Sequence, residues 1–357
     1  MSKSRIEAVK KLLEPGDSQV DAVLVTNITN VAYLSGFTGS TAMLLISGNE
    51  NLFLTDFRYT AQARGQCPDF EIVDISQPDS LKDLFSEHSS LARVGFESND
   101  VTVARLEGWR KHAPDVEWIS LGAKVSDLRL IKDEDEVGLI SHAIAIAEDA
   151  FSLISPLLAP GTSEVELALE LEFAMRRSGA SAASFDIIVA SGENGAFPHH
   201  RPSDRVFAEG DLVTIDWGAK YRGYCSDITR TVLIEAAPTE KQREIYKIVL
   251  DAKNLAIAAI APGKTGKEID SVARDYIASK GYGDYFGHSL GHSLGMEVHD
   301  GATLSQRADE VILQPGMITT VEPGIYIEGF GGIRLEEDVL VTEHGTKVLT
   351  KMAPALS

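Results

Sequence analysis

The stretch Gly210-Asp-Leu-Val-Thr-Ile-Asp-Trp-Gly-Ala-Lys-Tyr-Arg-Gly-Tyr-Cys-Ser-Asp-Ile-Thr-Arg230 decides the fold of this chain. Residues 213–215 and 227–234 predict two strands, and the glycine-flanked segment 218–223 predicts the turn between them. A hairpin that turns at Tyr221 and Arg222 brings Asp216 and Asp227 roughly opposite each other. Two carboxylates flanked by apolar residues are costly to bury without a positive partner. Taken alone, a solvated hairpin with two surface aspartates explains the stretch equally well.

The same pattern recurs later in the chain. Gly316-Met-Ile-Thr-Thr-Val-Glu-Pro-Gly324 repeats residues 210–218 with Glu322 in the place of Asp216, and Glu336 follows a glycine-rich turn in the place of Asp227. The helical segments that begin after Pro160 and Pro262 are also repeated, 102 positions apart. The second part of the chain is therefore predicted to contain two copies of one unit related by a pseudo-two-fold axis. Four carboxylates that converge on such an axis require cations.

Composition excludes several classes of partner. The 357 residues suggest two domains, and 44% hydrophobic with 24% charged residues is typical of a globular protein. A net charge of −20 argues against nucleic acid or an anionic membrane surface as a partner. The chain shows no apolar signal core and no apolar run that we expect to span a bilayer, so a cytoplasmic location is expected. Cys67 and Cys225 have no metal-site spacing and are expected to be plain thiols.

Residues 1–125 are predicted to form an α/β domain with a mixed sheet, and residues 126–357 a second domain. No glycine-rich phosphate loop supports a nucleotide site. In the second domain a helix is expected from Asp133 to Pro156, and Ser163 with Glu166 and Thr239 with Gln242 suit capping boxes. The predicted elements of the first domain are strands at 22–25, 43–46, 52–54 and 72–75 and helices at 6–13, 81–88 and 101–111. Residues 33–39 and 56–59 are expected to form polar-aromatic turns.

Five of the nine histidines lie near the acidic hairpins. His199 and His200 precede the first hairpin. His288, His292 and His299 crowd into one short segment whose small residues allow a ligand to approach closely. One imidazole with four carboxylates suits two divalent first-row ions, with manganese as the main expectation and cobalt or zinc as alternatives.

The set Asp216, Asp227, His292, Glu322 and Glu336 resembles the dinuclear metal site of the metallopeptidases with the pita-bread fold. Four phrases are similar to those of the aminopeptidase P and prolidase group in particular: Asp227-Ile-Thr-Arg230, Gly291-His-Ser-Leu-Gly295, Val321-Glu-Pro-Gly-Ile-Tyr326 and Gly332-Ile-Arg-Leu-Glu-Glu-Asp338. The resemblance covers essentially the whole chain, including the N-terminal domain of that group. Ser293 is a departure, since many relatives have glycine there. The implied fold is an α/β creatinase/prolidase-like N-terminal domain followed by an α+β pita-bread catalytic domain.

The resemblance implies a role for each metal-site residue. Asp216 chelates one ion, His292 and Glu322 mainly bind the other, and Asp227 and Glu336 bridge the two. A hydroxide held between two ions is nucleophilic at neutral pH, because metal binding lowers the pKa of water toward about 7. Glu322 also accepts a proton.

The resemblance implies supporting roles for three further residues. His199 and His299 support the tetrahedral intermediate and its leaving nitrogen, and Arg334 orients a ligand carboxylate.

The implied activity is hydrolysis of the Xaa-Pro bond at the N-terminus of short peptides. A metal-free relative, either a creatinase-like hydrolase or a peptide-binding module, is the alternative, and the N-terminal domain disfavours a methionine aminopeptidase. A strict dipeptidase must recognise the free carboxylate after proline, yet Gly301-Ala-Thr-Leu304 holds no cation. We therefore expect an aminopeptidase P-like enzyme, although Arg307 or Arg58 could recognise that carboxylate. The resemblance also implies a homodimer.

Overall fold

The structure is a computed structural model that describes residues 2–14, 19–77 and 79–356. The chain forms two compact units, the first ending at Arg129 and the second beginning at Leu130. The predicted boundary between residues 125 and 126 lies a few residues before this division.

The first unit is built on a six-stranded mixed sheet with the order β4-β3-β2-β1-β5-β6. The strands are β1 Ala22–Val25, β2 Met43–Ser47, β3 Asn51–Thr55, β4 Glu71–Asp74, β5 Arg93–Phe96 and β6 Glu117–Ser120. The helices are α1 Ser2–Lys11, α2 Ile28–Ser35, α3 Thr60–Gln66, α4 Ser80–Glu87 and α5 Val103–His112. Strands β1, β2 and β3 pair antiparallel, whereas β4, β5 and β6 each join a neighbour in parallel.

The mixed sheet was predicted, but four elements were not. These are the helices α2 and α3 and the strands β5 and β6. The segment 33–39 was expected to be a turn, whereas residues 33–35 complete α2. The Asn27 side chain caps that helix by accepting bonds from two backbone amides, and Gly36 ends it with a φ of 77°.

The second unit contains four long helices and thirteen short strands among its described residues. The helices are α6 Glu134–Ile154, α7 Glu164–Arg177, α8 Glu240–Ala259 and α9 Gly266–Ser279. The strands of the first half are β7 Ala182–Ala183, β8 Ile188–Ser191, β9 Leu212–Trp217, β10 Ala219–Tyr221, β11 Tyr224–Cys225 and β12 Ile228–Leu233. Those of the second half are β13 Gly291–His292, β14 Thr303–Leu304, β15 Ile318–Val321, β16 Gly324–Ile327, β17 Gly331–Arg334, β18 Glu337–Thr342 and β19 Gly345–Val348.

The two halves of this unit repeat the same arrangement, as predicted. Each half has a pair of helices, α6 with α7 and α8 with α9, that packs an apolar core against the strands of the unit. The second helix of each pair begins with a capping box, at Ser163 in one half and at Thr265 in the other. Glycines with positive φ, Gly179 and Gly281, follow the two helices. The pseudo-two-fold repeat is therefore present in caps, helices and hairpins alike.

The first acidic hairpin turns one residue later than predicted. Its two-residue turn is Arg222-Gly223, with φ values of 47° and 89°, which is the left-handed conformation of a type I′ turn. Strand β12 consequently pairs with β9 so that Asp216 lies opposite Thr229, and not opposite Asp227. A displacement of two residues leaves both aspartates on the same face of the hairpin. Asp216 and Asp227 can therefore point at one spot even though the register of the hairpin differs from the predicted one.

The two acidic hairpins contact each other along their second strands. The Thr231 hydroxyl accepts a hydrogen bond from the Arg334 amide at 3.0 Å and donates to the Arg334 carbonyl at 3.1 Å. The Glu336 amide donates to the Thr229 carbonyl at 3.2 Å. Asp227 and Glu336 each directly precede a second strand, β12 or β18, so this contact brings the two carboxylates together.

Helix α6 corrects one expectation from the sequence. The segment Glu134–Leu157 is long and apolar enough to cross a membrane by length and composition, whereas no such run was expected. These two properties are weak evidence, since a core helix also has them. Ile140, Ile144 and Ala147 are fully or almost fully buried in the core of the second unit, where they pack with α7 and the first hairpin.

We predict that Gly291→Ala destabilises the second unit by about 3 kcal/mol. The added methyl group would collide with backbone atoms, which cannot move aside as a flexible side chain can. A Cβ at residue 291 would lie 2.0 Å from the carbonyl oxygen of Thr320. Chemical denaturation measures the loss. The matched control is Gly287→Ala, where a Cβ meets nothing within 4 Å. Equal stability of the two variants would show that β13 does not pack against β15 as described.

Candidate metal centre and active site

The five predicted metal-binding residues come from separate elements that the two hairpins bring together. Asp216 lies near the end of β9 and Asp227 directly precedes β12. Glu322 follows β15, and Glu336 directly precedes β18. His292 ends β13, which lies beside β15 through the bridge between residues 293 and 319. Metal-binding atoms of Asp227, His292 and Glu336 lie within 4.8 Å of one another.

The His292 ring has its unprotonated nitrogen directed at carboxylates. Its Nδ1 lies 3.3 Å from the Ser293 carbonyl oxygen and must therefore donate a proton there. Burial, together with the charge of His299, lowers the pKa of His292 to about 4, so the ring is neutral at pH 7. The remaining Nε2 lone pair lies 3.5 Å from oxygens of both Asp227 and Glu322. Lone pairs that face one another at this distance call for a cation between them.

The carboxylates repel one another in the absence of such a cation. Burial and the nearby Glu336 and Asp216 charges raise the pKa of Asp227 well above its usual range. Burial and the charges of Glu322 and Asp216 do the same to the pKa of Glu336. Burial raises the pKa of Glu322 to about 8, although Arg334 opposes the shift. Each acid is therefore held in a place that disfavours its charge.

Arg334 is a cation that the chain itself provides to this cluster. Its Nη2 donates to Asp216 Oδ2 at 2.5 Å, and its Nη1 donates to the Tyr326 hydroxyl at 2.9 Å. His288 Nδ1 bonds to the Ser289 carbonyl at 2.8 Å, so its Nε2 accepts from Tyr326 at 2.8 Å. This chain of contacts holds Arg334 against Asp216. Asp216 is one of the predicted metal ligands, and the role of orienting it, which the resemblance implies for Arg334, stays a prediction.

Glu336 is fixed by groups that sequence reasoning did not identify. The Thr229 hydroxyl donates to Glu336 Oε2 at 2.5 Å, and Arg334 Nε donates to that hydroxyl at 3.1 Å. The buried Arg230 donates to the Glu336 carbonyl at 2.6 Å and to Glu337 at 3.0 Å. Thr229 and Arg230 belong to the motif Asp227-Ile-Thr-Arg230, but their contacts depend on how the two hairpins meet.

The residues present fit divalent metal ions. Asp216 Oδ1 is buried and has no hydrogen-bond partner among the described residues, although Asp216 Oδ2 is bonded to Arg334. A buried carboxylate oxygen without a partner is costly unless a cation binds it. Carboxylate oxygens and one neutral imidazole are a donor set for first-row divalent ions. One guanidinium does not balance four carboxylates.

A cavity of about 340 Å³ opens onto these residues. Its floor holds Asp227 and Glu336, and Phe185, Ile188 and Val298 contribute an apolar wall. A second cavity of about 300 Å³ meets it at the acidic cluster. The two cavities share the residues His199, Asp216, His292, His299 and Glu322. His199 and His299, predicted to support the reaction, are exposed on these walls, and the His292 and His299 rings lie 4.2 Å apart between centroids.

The two arginines that were considered for recognising a substrate carboxylate are engaged or located elsewhere. Arg58 belongs to the first unit, where its Nη2 lies 2.7 Å from Asp56 Oδ2. Arg307 is exposed and lines a different cavity, with Arg274 and His288. The wall of the acidic cavity carries Arg201 instead. Sequence reasoning passed over Arg201, although its position directly after His199 and His200 was a usable signal.

Buried Glu164 fixes the segment that carries these residues. Its Oε2 accepts from His200 Nε2 at 2.8 Å and from the Ser203 hydroxyl at 2.7 Å, while its Oε1 accepts from the Ser191 hydroxyl at 2.7 Å. Burial by itself would raise the pKa of Glu164, but the bonds from Ser203 and Ser191 outweigh it and lower the pKa to about 2. The segment 200–203 is thus tied at both ends to one ionised side chain.

Comparison with known proteins assigns the class. The model of the family described as "Metallopeptidase family M24" matches residues 138–343. The model described as "Creatinase/Prolidase N-terminal domain" matches residues 5–131. The chain belongs to metallopeptidase family M24, it is an enzyme, and it combines this N-terminal domain with a pita-bread catalytic domain. The predicted fold is confirmed. Family membership also implies divalent metal ions.

Individual relatives resemble the chain over its full length. A protein of Pyrococcus furiosus called Xaa-Pro dipeptidase is 38% identical over 352 residues, which cover 98% of both chains. The structure of the Xaa-Pro dipeptidase from Bacillus anthracis has a TM-score of 0.95 and 42% identity, with coverage of 100% of this chain and 99% of that one. The X-Pro aminopeptidase from Thermotoga maritima has a TM-score of 0.88 and 41% identity, with coverage of 95% and 97%.

Thr229→Val should weaken the site without changing its shape, because valine keeps the volume and removes the hydroxyl that donates to Glu336. We expect a loss of about 1–3 kcal/mol in the free energy of unfolding. Metal affinity should fall roughly 10- to 100-fold. Metal titration followed by calorimetry measures the affinity. Thr342→Val on β18 is the control, and an equal effect there would contradict the role of Thr229.

Glu164 should stabilise the fold at neutral pH and lose this stabilising effect in acid. A folded-state pKa of about 2, below the ordinary 4.5, gives a contribution that is fully present above pH 4.5 and lost as the pH falls toward 2. Glu164→Gln lacks this contribution. Urea unfolding at pH 7, 4 and 3 should show the difference between the wild type and this variant shrinking with each step. A difference that is constant with pH would refute the ionised state of Glu164.

Proposed function

We propose that this protein is a metal-dependent peptidase that hydrolyses the Xaa-Pro bond at the N-terminus of short peptides. The observation that carries the proposal is the convergence of the neutral His292 nitrogen with carboxylate oxygens of Asp227, Glu322 and Glu336 at the floor of an open cavity. The proline specificity is supported by the names of relatives similar over the whole chain.

Asp216, Asp227, His292, Glu322 and Glu336 would hold two divalent ions, with manganese proposed ahead of cobalt and zinc. Such ions supply a water activated at neutral pH and neutralise developing charge. Arg334 holds Asp216 in place through the bond at 2.5 Å.

Glu322 and two histidines of the cavity then act on the substrate. Glu322 accepts the proton of the attacking water and delivers it to the departing proline nitrogen. His199 and His299, exposed on the cavity wall, donate hydrogen bonds to the carbonyl oxygen as negative charge grows on it.

The alternative is a metal-free member of the same fold, either a creatinase-like hydrolase or a peptide-binding module. The unsatisfied Asp216 Oδ1 and the mutual repulsion of the buried acids disfavour it. A protein that used this pocket without metal would gain from replacing at least one of these carboxylates.

Three further expectations from the sequence stay predictions. A homodimer is tested by sedimentation velocity, and a cytoplasmic location by fractionation of the source cells. The third is a preference for peptides longer than a dipeptide, predicted from the lack of a cation in residues 301–304; Arg201 is a cation on the wall of the same cavity as the acidic cluster.

Removal of metal should abolish peptidase activity and lower the melting temperature, because the four acids then repel one another without compensation. After dialysis against a chelator, we expect no cleavage of Ala-Pro or Ala-Pro-Ala, and recovery with manganese. Elemental analysis checks the metal content at each step. Full activity in protein shown to be metal-free would disprove the proposal.

The variant Asp227→Asn sharpens this test because it keeps the side-chain volume and removes the negative charge that two ions would share. It should stay folded, bind less metal and lose most turnover. The control Asp275→Asn changes an exposed aspartate of α9 and should behave as the wild type. Retention of two ions and near-normal turnover by Asp227→Asn would exclude a bridging role.

A further inference from the structure

We propose that Arg201 binds the free carboxylate that follows the proline of a dipeptide substrate, and so determines how well dipeptides bind relative to uncharged analogues. This inference rests on the proposed function and adds a specificity-determining residue to it. Arg201 is exposed on the wall of the 340 Å³ cavity, and it is the only arginine or lysine among the described residues that line that cavity.

The guanidinium of Arg201 is available to a ligand. Other arginines near the site are engaged: Arg334 with Asp216, Arg205 with Asp211, Arg230 with Glu337 and Arg274 with Asp270. Arg201 has no ion pair and no side-chain hydrogen bond within the described parts of the chain. Asp186 lines the same wall, but no ion pair within 4.0 Å joins the two side chains.

Hydrogen bonds to Glu164 fix the chain on both sides of Arg201. His200 and Ser203, on either side of it, are both bonded to the buried carboxylate of Glu164, at 2.8 and 2.7 Å. The Ser203 amide donates to the same carboxylate at 3.0 Å. Because His200 is committed to Glu164, Arg201 is the charged group of this segment that remains for a ligand. A cation on a fixed base loses less conformational entropy on binding than one on a mobile loop.

The surroundings of Arg201 match the chemistry of a C-terminal proline. That residue combines an apolar ring with a carboxylate one bond away. The cavity combines an apolar wall, formed by Phe185, Ile188, Pro202 and Val298, with the Arg201 cation. The planar guanidinium can donate two parallel hydrogen bonds to a carboxylate, which an amide or an extended chain cannot accept in the same way.

The test compares Ala-Pro with Ala-Pro-amide, which differ only in the charge after proline, on manganese-loaded protein. Arg201→Gln should raise KM for Ala-Pro about tenfold, leave kcat within about twofold, and change both values for the amide by less than about twofold. Arg201→Lys keeps the charge without the fork and should fall between. Arg307→Gln, on the other cavity, is the matched control and should resemble the wild type.

A second readout needs no turnover. Calorimetric titration of the wild type should show tighter binding of proline than of prolinamide, and Arg201→Gln should remove this preference. An equal effect of Arg201→Gln on both members of each pair, no effect at all, or no detectable binding of proline to the wild type would overturn the inference. Failure of the proposed function is a different result, namely no cleavage of Ala-Pro, its amide or Ala-Pro-Ala by the metal-loaded wild type.

Discussion

The mutual repulsion of four clustered carboxylates is the constraint on which the rest of this structure depends. Asp227 and Glu336 are 5% and 1% exposed, and burial raises the pKa of both. Acids placed so close in a protein interior ionise together only where cations are present. Among the residues that the structure describes, Arg334 is the cation paired with this cluster, through Asp216. The fold is thus arranged around a deficit of positive charge.

Hydrogen bonds between the hairpins hold that cluster together despite the repulsion. The contact of Thr229 and Thr231 with residues 334–336 joins the two repeats at the point where the acids meet. Behind it, Arg230 and Lys253 share Glu337 as a fully buried ion pair network. Removing one member of such a network leaves an uncompensated charge in the interior. Because Arg230 also donates to the Glu336 carbonyl, the network helps to hold Glu336 in place.

Much of this site could be predicted because its acidic residues belong to a local sequence pattern that occurs twice in the chain. The acidic residue at the end of each first strand and before each second strand is visible in the sequence, and convergence needs only that both lie on one face. The register could not be derived, since it depends on whether the turn is 221–222 or Arg222-Gly223. Thr229 was missed for a different reason. Its hydrogen bond to Glu336 joins segments far apart in the chain, and no local periodicity signals such a contact.

The repeat also explains why the two ions would not be equivalent. In the first half, Ala190 lies opposite Thr214 in the pairing of β8 with β9. In the second half, the Thr320 hydroxyl accepts from the His292 amide, so His292 occupies the place that Ala190 has in the first half. Within the described residues, the halves therefore contribute matching carboxylates to the predicted ligand set, but only the second contributes an imidazole to it, and of the four carboxylates only Asp216 is paired with an arginine. A symmetric scaffold thus carries an asymmetric ligand set.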